Sequence, residues 1–321
     1  MNNEVTLPPY VINEVNPVLP MSQSLDWGMT QMYIPDIHAL GITGKGITIA
    51  VIDTAIDVTH PDLQGVISGT FNFAEDAYVP KAHHGTGVAG VIAAQNNEKG
   101  VLGVAPDAKI VGIKVLNEDG SGSITNVVQG ILKAIELKVD IINMSLGANT
   151  GTGALKAAVE KARDAGIHII CAAGNSGADN DVCFPARYDQ TVGVAATNQQ
   201  QKVSVFSSRG WEVDIAAPGE RILTTWTNHD YAKVSGTSFA TPYVAGLYAL
   251  FLQAGVQINH ELLKKTAIDI EEPGNDTKSG YGLINPKKIV SSRSEPVEPQ
   301  VNKNEKVEKA YALLGDFLGK K

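Results

Sequence analysis

Four stretches of the chain are apolar on both faces and rich in isoleucine and valine: ITIAVID (47–53), AKIVGIKVL (108–116), VDIINMSL (139–146) and IHIICAA (167–173). A strand with one wet face alternates apolar and polar residues, so continuous runs of this kind mark strands covered on both sides. Between them the period changes. GTGVAGVIAAQ, ITNVVQGILKAIEL and ALKAAVEKARDAG carry apolar residues at helical spacing, and the last ends on a glycine C-cap at Gly166. Strand, helix and strand in this rhythm predict a three-layer α/β fold, a mainly parallel sheet with helices on both faces and right-handed crossovers. Ligand sites in such sheets gather beyond the carboxyl ends of the strands. Polar residues stand at those ends: Asp53 after the first strand, Ser145 to Gly147 after the third, Gly174 and Asn175 after the fourth.

The two ends of the chain read differently. Residues 1–20 hold four prolines and no basic residue, the pattern of an extended arm. SSRSEPVEPQVNKNEK (291–306) reads as a linker. After it Val307, Ala310, Tyr311, Leu314, Phe317 and Leu318 share one helical face, suited to docking on its own domain or on a second subunit. The expected organisation is an N-terminal extension over 1–22, a main domain over 23–290, and a linker with an amphipathic tail over 291–321.

Composition removes several function classes. With 321 residues, 43% hydrophobic and 19% charged, the chain has the makeup of a soluble globular protein with a large core. A net charge of −8 and the lack of a basic stripe argue against a nucleic-acid partner. No run approaches the roughly 20 apolar residues that span a bilayer, so no membrane partner is expected. No Lys or Arg precedes Lys45, and the first 40 residues lack the apolar core of a secretory signal, which leads to a cytoplasmic expectation. Cys171 and Cys183 are the only cysteines and have no metal-type spacing.

The segment HHGTGVAG (83–90) admits two readings. GTGVAG fits the glycine pattern of a dinucleotide site. Such a site should follow a strand directly and meet an acidic residue about 20 positions later. Here AYVPKAHH precedes the glycines and a loop, GVAPDAK, stands where the acid should be. The cofactor reading fails on context. The other reading makes a histidine a base, and it finds partners. Asp53 closes a strand, and Ser238 in SGTSFATPYVAG (235–246) opens a helix, where free N–H groups favour developing negative charge. Serine becomes a nucleophile when an imidazole, oriented by a buried carboxylate, takes its proton.

VIDTAIDVTHPDL, HHGTGVAGVIAA, INMSLG, AAGNSG and SGTSFATPYVAG stand in the order and spacing of the subtilisin-like serine proteases, the subtilases. The chain resembles that family from about Gln23 to Ile289. The resemblance implies that Asp53 orients the imidazole, His84 is the general acid and base, Ser238 is the nucleophile and Asn175 is the side-chain oxyanion donor. The family's H-G-T-x-V-A-G begins at His84, which leaves His83 expected at an exposed rim. Gly87 and Tyr243 stand where the family usually has histidines, departures expected to alter packing and stability rather than chemistry.

Further residues follow from the same resemblance. Gly120, Ser121 and Gly122 on one side, and Ser145, Leu146 and Gly147 on the other, look like the edges between which a peptide adds as a strand. Ala172, Ala173 and Gly174 would wall a side-chain pocket with Cys183 at its floor, suited to a medium or large uncharged side chain. A Cys183 nucleophile is the competing use, and no histidine motif lies beside it. QNNEKGV (95–101) resembles the family's calcium loop, with Gln23, Asp62 and Asn97 as side-chain ligands and the carbonyls of Gln95, Lys99 and Val101 completing the cage. Calcium takes about 6–8 oxygens, which this set supplies if Asp62 binds through both of its oxygens. Intracellular subtilisins carry a short arm with an L-I-P-Y type motif; LPPY (Leu7 to Tyr10) is similar, with Pro8 for isoleucine. The expectation is an intracellular serine endopeptidase acting on proteins or peptides through an acyl-enzyme. Its arm would lie across the groove as an intramolecular inhibitor until removed, and a homodimer is the further association considered. The rival of another class is a catalytically idle subtilase fold that only binds peptides.

Overall fold

A computed structural model of the chain describes residues 4–16 and 22–286. Its elements in chain order begin with β1 (Glu4–Thr6), β2 (Val11–Val15), α1 (Trp27–Gln31), α2 (Ile34–His38), β3 (Thr48–Asp53) and β4 (Ile67–Asn72). They continue with α3 (His84–Ala93), β5 (Lys109–Lys114), β6 (Ser121–Ser123), α4 (Ile124–Glu136), β7 (Ile141–Met144), α5 (Gly153–Asp164) and β8 (His168–Ala172). The last are β9 (Val192–Thr197), β10 (Ile215–Pro218), β11 (Ile222–Thr225), β12 (Tyr231–Ser235), α6 (Thr237–Gln253) and α7 (His260–Thr266).

Seven strands form one parallel sheet in the order β10-β9-β8-β7-β3-β5-β4. Strand periodicity sends alternate residues to opposite faces. Ile49 and Val51 of β3 join one core, while Ala50 and Ile52 join the other; Ile141 and Ile142 of β7 divide the same way. This is why the strand sequences are apolar without alternation. Helices α3 and α6 cover the first face, and α4 and α5 the second. Helix α6 is buried from Thr237 to Phe251, as an all-round apolar sequence requires.

β3 sits where the strand order turns, with β5 on one side and β7 on the other. A crevice opens outside the carboxyl end of a strand at such a switch point, and Asp53 occupies that end. Two small sheets flank it. β1 pairs with β6, and β2 adds to β12 of the β11-β12 hairpin. Both arm strands therefore belong to sheets made by distant parts of the chain. The predicted linker and the tail residues Val307 to Leu318 lie outside the described residues. Among the described residues no helix is long and apolar enough to cross a membrane.

Candidate active site

The Asp53 carboxylate accepts from Nδ1 of His84 at 2.8 and 3.0 Å and from the N–H of Thr54 at 2.7 Å. Both side chains are completely buried. A two-oxygen grip on Nδ1 fixes the ring plane and the tautomer, leaving Nε2 to exchange protons. His84 opens α3, and the glycines behind it explain the GTGVAG segment. A Cβ on Gly85 would lie 2.6 Å from the Thr54 carbonyl, and one on Gly90 would lie 2.2 Å from the Thr225 hydroxyl. The glycines let α3 seat against β3 and β11, and no phosphate site is needed to account for them.

Ser238 is the second residue of α6 and is fully buried. Its carbonyl accepts from the Ser145 hydroxyl at 2.8 Å, which in turn accepts from Asn143 Nδ2 at 3.1 Å, so the first turn of α6 is tied to β7. Asn175 follows β8. Its Oδ1 accepts from the N–H and the hydroxyl of Thr237, each at 2.8 Å. With the oxygen held, the amide nitrogen faces the groove as a fixed donor, one residue from the Ser238 backbone. That is the placement an oxyanion donor needs.

The arm fills this groove. Glu4, Val5 and Thr6 pair antiparallel with Ser123, Gly122 and Ser121, and the N–H of Leu7 donates to the Gly120 carbonyl at 3.0 Å. On the opposite edge Thr6 and Gly147 exchange both backbone hydrogen bonds at 2.9 Å. Two residues further along, this register sets Pro8 opposite Ser145. Proline has no N–H to give, and the Ser145 carbonyl takes the Ser238 hydroxyl instead, at 3.1 Å. Nε2 of His84 is buried and has no hydrogen-bond partner among the described residues. The carbonyl that Asn175 Nδ2 holds, at 2.8 Å, belongs to Pro9. Tyr10 then packs over the imidazole with ring centroids 5.0 Å apart, and 5.8 Å from Phe239. Burial, with the Asp53 carboxylate adding to it, pushes the Tyr10 phenol above its ordinary pKa.

A cavity of about 140 Å³ remains beneath Pro8 and Pro9. Gly174 and Cys183, expected at a side-chain pocket, border it, and so does Gly147 of the pairing edge. Ala172 and Ala173 do not: both are fully buried behind it, and Ala172 offers only its carbonyl, to the Cys183 thiol at 3.2 Å. Leu146 is likewise turned into the core. Thr6 and Asn175 also line it, as do Asn149, Ser176, Asp181 and Ser208. Asn149, Asp181 and Ser208 belong to no motif of their own, and Ser176, although inside AAGNSG, is not singled out by the sequence. Burial pushes the Cys183 thiol up to about 12, the opposite of an activated nucleophile. Cys171 is fully buried in β8 and raised well above the thiol range for the same reason.

His83 differs from expectation. It is half-buried, stacked on Trp226 with centroids 4.8 Å apart, and bonded through Nδ1 to the Thr227 hydroxyl. Burial lowers its pKa. Tyr243 has its own partner: its hydroxyl donates to the buried carboxylate of Asp26, which also accepts from the N–H groups of Gly28 at 2.8 Å and Leu223 at 2.9 Å. Gly87 faces Phe239, Trp226 and Thr224, atoms that a Cβ would meet at 3.2 to 3.4 Å.

The loop after α3 brings the proposed calcium ligands together. Gln23 Nε2 donates to the carbonyls of Gln95 and Val101, the latter at 3.0 Å. Asp62 accepts from Asn97 Nδ2 at 3.0 Å, the Val101 N–H at 2.8 Å and the Tyr231 hydroxyl at 3.0 Å. Amide oxygen and nitrogen are interchangeable in shape. With the Gln23 and Asn97 amides turned over, two amide oxygens, two carbonyls and one carboxylate converge, a donor set that fits a hard cation. Lys99 joins the group only through its N–H, on Asn97 Oδ1 at 3.1 Å. Among the described residues no three acidic, histidine or cysteine side chains cluster as a metal site, so this one stands on Asp62 and neutral oxygens.

Residues 44–282 match the model of the Subtilase family. Subtilisin E of Bacillus subtilis (strain 168) is 43% identical over 273 residues, 82% of this chain and 71% of that protein. A thermostable alkaline protease of Halalkalibacterium halodurans is 45% identical over 237 residues, covering 74% of this chain and 65% of the relative. Subtilisin of Bacillus pumilus is 42% identical over 273 residues, 82% of this chain and 98% of that protein.

Proposed function

The chain belongs to the subtilase family and is a subtilisin-type serine protease; we propose that Asp53, His84 and Ser238 are its catalytic triad and that the enzyme is made with its own arm as inhibitor. The observation that carries this reading is the carbonyl of Pro9 on the amide of Asn175 at 2.8 Å, with Tyr10 over His84. An extended peptide thus lies where a substrate would lie, between Gly120–Gly122 and Gly147, and presents a carbonyl to the oxyanion donor.

In the reaction His84 Nε2 takes the proton of Ser238 as its oxygen attacks the scissile carbonyl. Asn175 Nδ2 stabilises the oxyanion, and the imidazolium is steadied by Asp53. His84 then protonates the leaving amine, and water releases the acyl group. The arm interrupts the first step. Pro8 leaves the Ser145 carbonyl free to accept the Ser238 hydroxyl, which turns the nucleophile away from its base. The motif Leu7-Pro8-Pro9-Tyr10 also supports a place among the intracellular members. Main-chain pairing on both edges suits protein and peptide substrates of many sequences.

A structural calcium ion fits this account, held by Asp62, the Gln23 and Asn97 amides and the carbonyls of Gln95 and Val101. It would pin the segment from Gln23 to Ser24 onto the loop that follows α3. The test is a serine-directed phosphonate. Active enzyme should gain one adduct on Ser238, and a peptide-binding but idle fold should gain none.

A further inference from the structure

Beyond Tyr10 the arm does not leave the protein. Val11 and Ile12 pair with Ser235 and Val234 of β12, Glu14 with Lys233, and Val15 with Ala232, across a one-residue irregularity in the ladder. The N–H of Asn16 extends the pairing by donating to the Tyr231 carbonyl at 2.8 Å. The Lys233 ammonium meets the Glu14 carboxylate at 2.8 Å. β12 runs through Gly236 directly into the first turn of α6, so this ladder begins three residues before Ser238. Its other edge is already taken by β11.

The arm strand β2 is an exposed occupant of that edge. All five of its residues are exposed, and Val11, Ile12 and Val15 lie 53%, 46% and 49% open. It is held by backbone hydrogen bonds, the Lys233–Glu14 pair and a hydrogen bond from the Ser235 hydroxyl to Asn13 Oδ1 at 2.6 Å, rather than by burial of its own side chains. An edge strand with free N–H and C=O groups is a template for any extended chain. If the arm is substrate-like up to Pro9, its continuation marks the path of whatever follows the cleaved bond.

We infer that the β12 edge, with Lys233, is a binding site for the departing half of a polypeptide substrate, engaging residues out to about the sixth past the cleaved bond and favouring an acidic side chain at the place of Glu14. This deepens the reading of the enzyme as a peptidase and rests on it. Two charges matter at this subsite: Lys233, and Arg221, which shares the adjoining hollow. Both attract a carboxylate. Asp26 lines the same hollow but is buried beneath Tyr243 and Leu223, with burial raising its pKa.

The experiment lets the full chain process itself to constant activity and reads the new N-terminus by intact mass. It then compares three quenched fluorescent peptides that share every residue up to the second past the cleaved bond. One stops there; two continue through an extended segment, with Glu or Lys five places past the bond. The Glu peptide is expected to exceed the Lys peptide in kcat/KM by roughly two- to fivefold, the range of an exposed ion pair. Lys233→Glu should reverse that order, Lys233→Gln should level it, and added salt should shrink it. Equal rates for the Glu and Lys peptides in the unmodified enzyme overturn the inference, as does a mature N-terminus that retains Val11–Val15 on the edge. Failure to cut even the short peptide would instead overturn the peptidase reading beneath it.

Discussion

Asn175 holds Thr237 with its oxygen and Pro9 with its nitrogen, all three contacts at 2.8 Å. One side chain thus joins the turn that carries Ser238 to a carbonyl of the arm. The oxygen's two bonds decide which way the nitrogen points, so Asn175→Asp should lose the donor while keeping the Thr237 contacts. Turnover should fall about 10²–10³-fold, the size established for the matching donor in subtilisin, with little change in KM. Steady-state kinetics of Asn175→Asp beside Asn175→Ala check this; a change confined to KM would contradict it.

Asp53 grips Nδ1 of His84 with both oxygens. Asp53→Asn keeps the shape but offers an N–H where an acceptor is needed, favouring the wrong tautomer. A loss in kcat of about 10⁴ is expected, as in other serine proteases whose triad aspartate is so changed. A loss below tenfold would mean that the pair is structural.

Pro8 is the residue that has no N–H to give the Ser145 carbonyl, which accepts the Ser238 hydroxyl. Pro8→Ala restores an N–H, frees the Ser238 hydroxyl for His84, and turns the arm from inhibitor toward substrate. The lag before full activity should shorten several-fold, and deletion of residues 1–16 should remove it. Progress curves of the three proteins decide the point, and identical lags would set the inhibitory role aside.

How far the sequence reached can be seen in these same residues. Asp53, His84 and Ser238 were legible because each lies at a strand end or a helix start inside a motif, and Asn175 because it lies in AAGNSG just past β8. The four core strands were legible because β3 and its neighbours bury both faces. The arm's second strand was not: VINEV and YAKVS are each five residues long, and which edge they share depends on a partner 222 positions away, as Ser235 and Asn13 show. Ala172, the last residue of β8, and Ala173 just after it are fully buried, which their sequence alone does not reveal. His83 failed because its stacking partner, Trp226, lies on a distant loop.

The calcium proposal makes a stability prediction. A ligand bound only by the folded state at 100 times its Kd adds about 2.7 kcal/mol. Calcium should therefore raise the thermal midpoint and a chelator should lower it, whereas magnesium, which demands tighter octahedral geometry, should not substitute. Asp62→Asn should remove the calcium response. A midpoint indifferent to calcium in the unaltered protein would refute the site.

Burial holds the imidazoles of His38, His60, His83 and His168 below their ordinary value of 6.5. Below that pH the unfolded chain binds protons that the folded chain refuses, so stability is present above it and is lost as the medium becomes acidic. The thermal midpoint should be level between about pH 8 and 7 and fall between about 6.5 and 5.5. Calorimetry across that window tests the sign, and a rising midpoint on acidification would contradict it.

The whole account turns on the hydroxyl at 238 cutting peptide bonds, its own arm among them. Intact mass of freshly purified full-length protein, followed with time beside Ser238→Ala, measures this directly. The unaltered protein should shed its arm as activity rises, while the alanine variant keeps its full mass throughout. Loss of the arm from both proteins alike, or from neither, would contradict it.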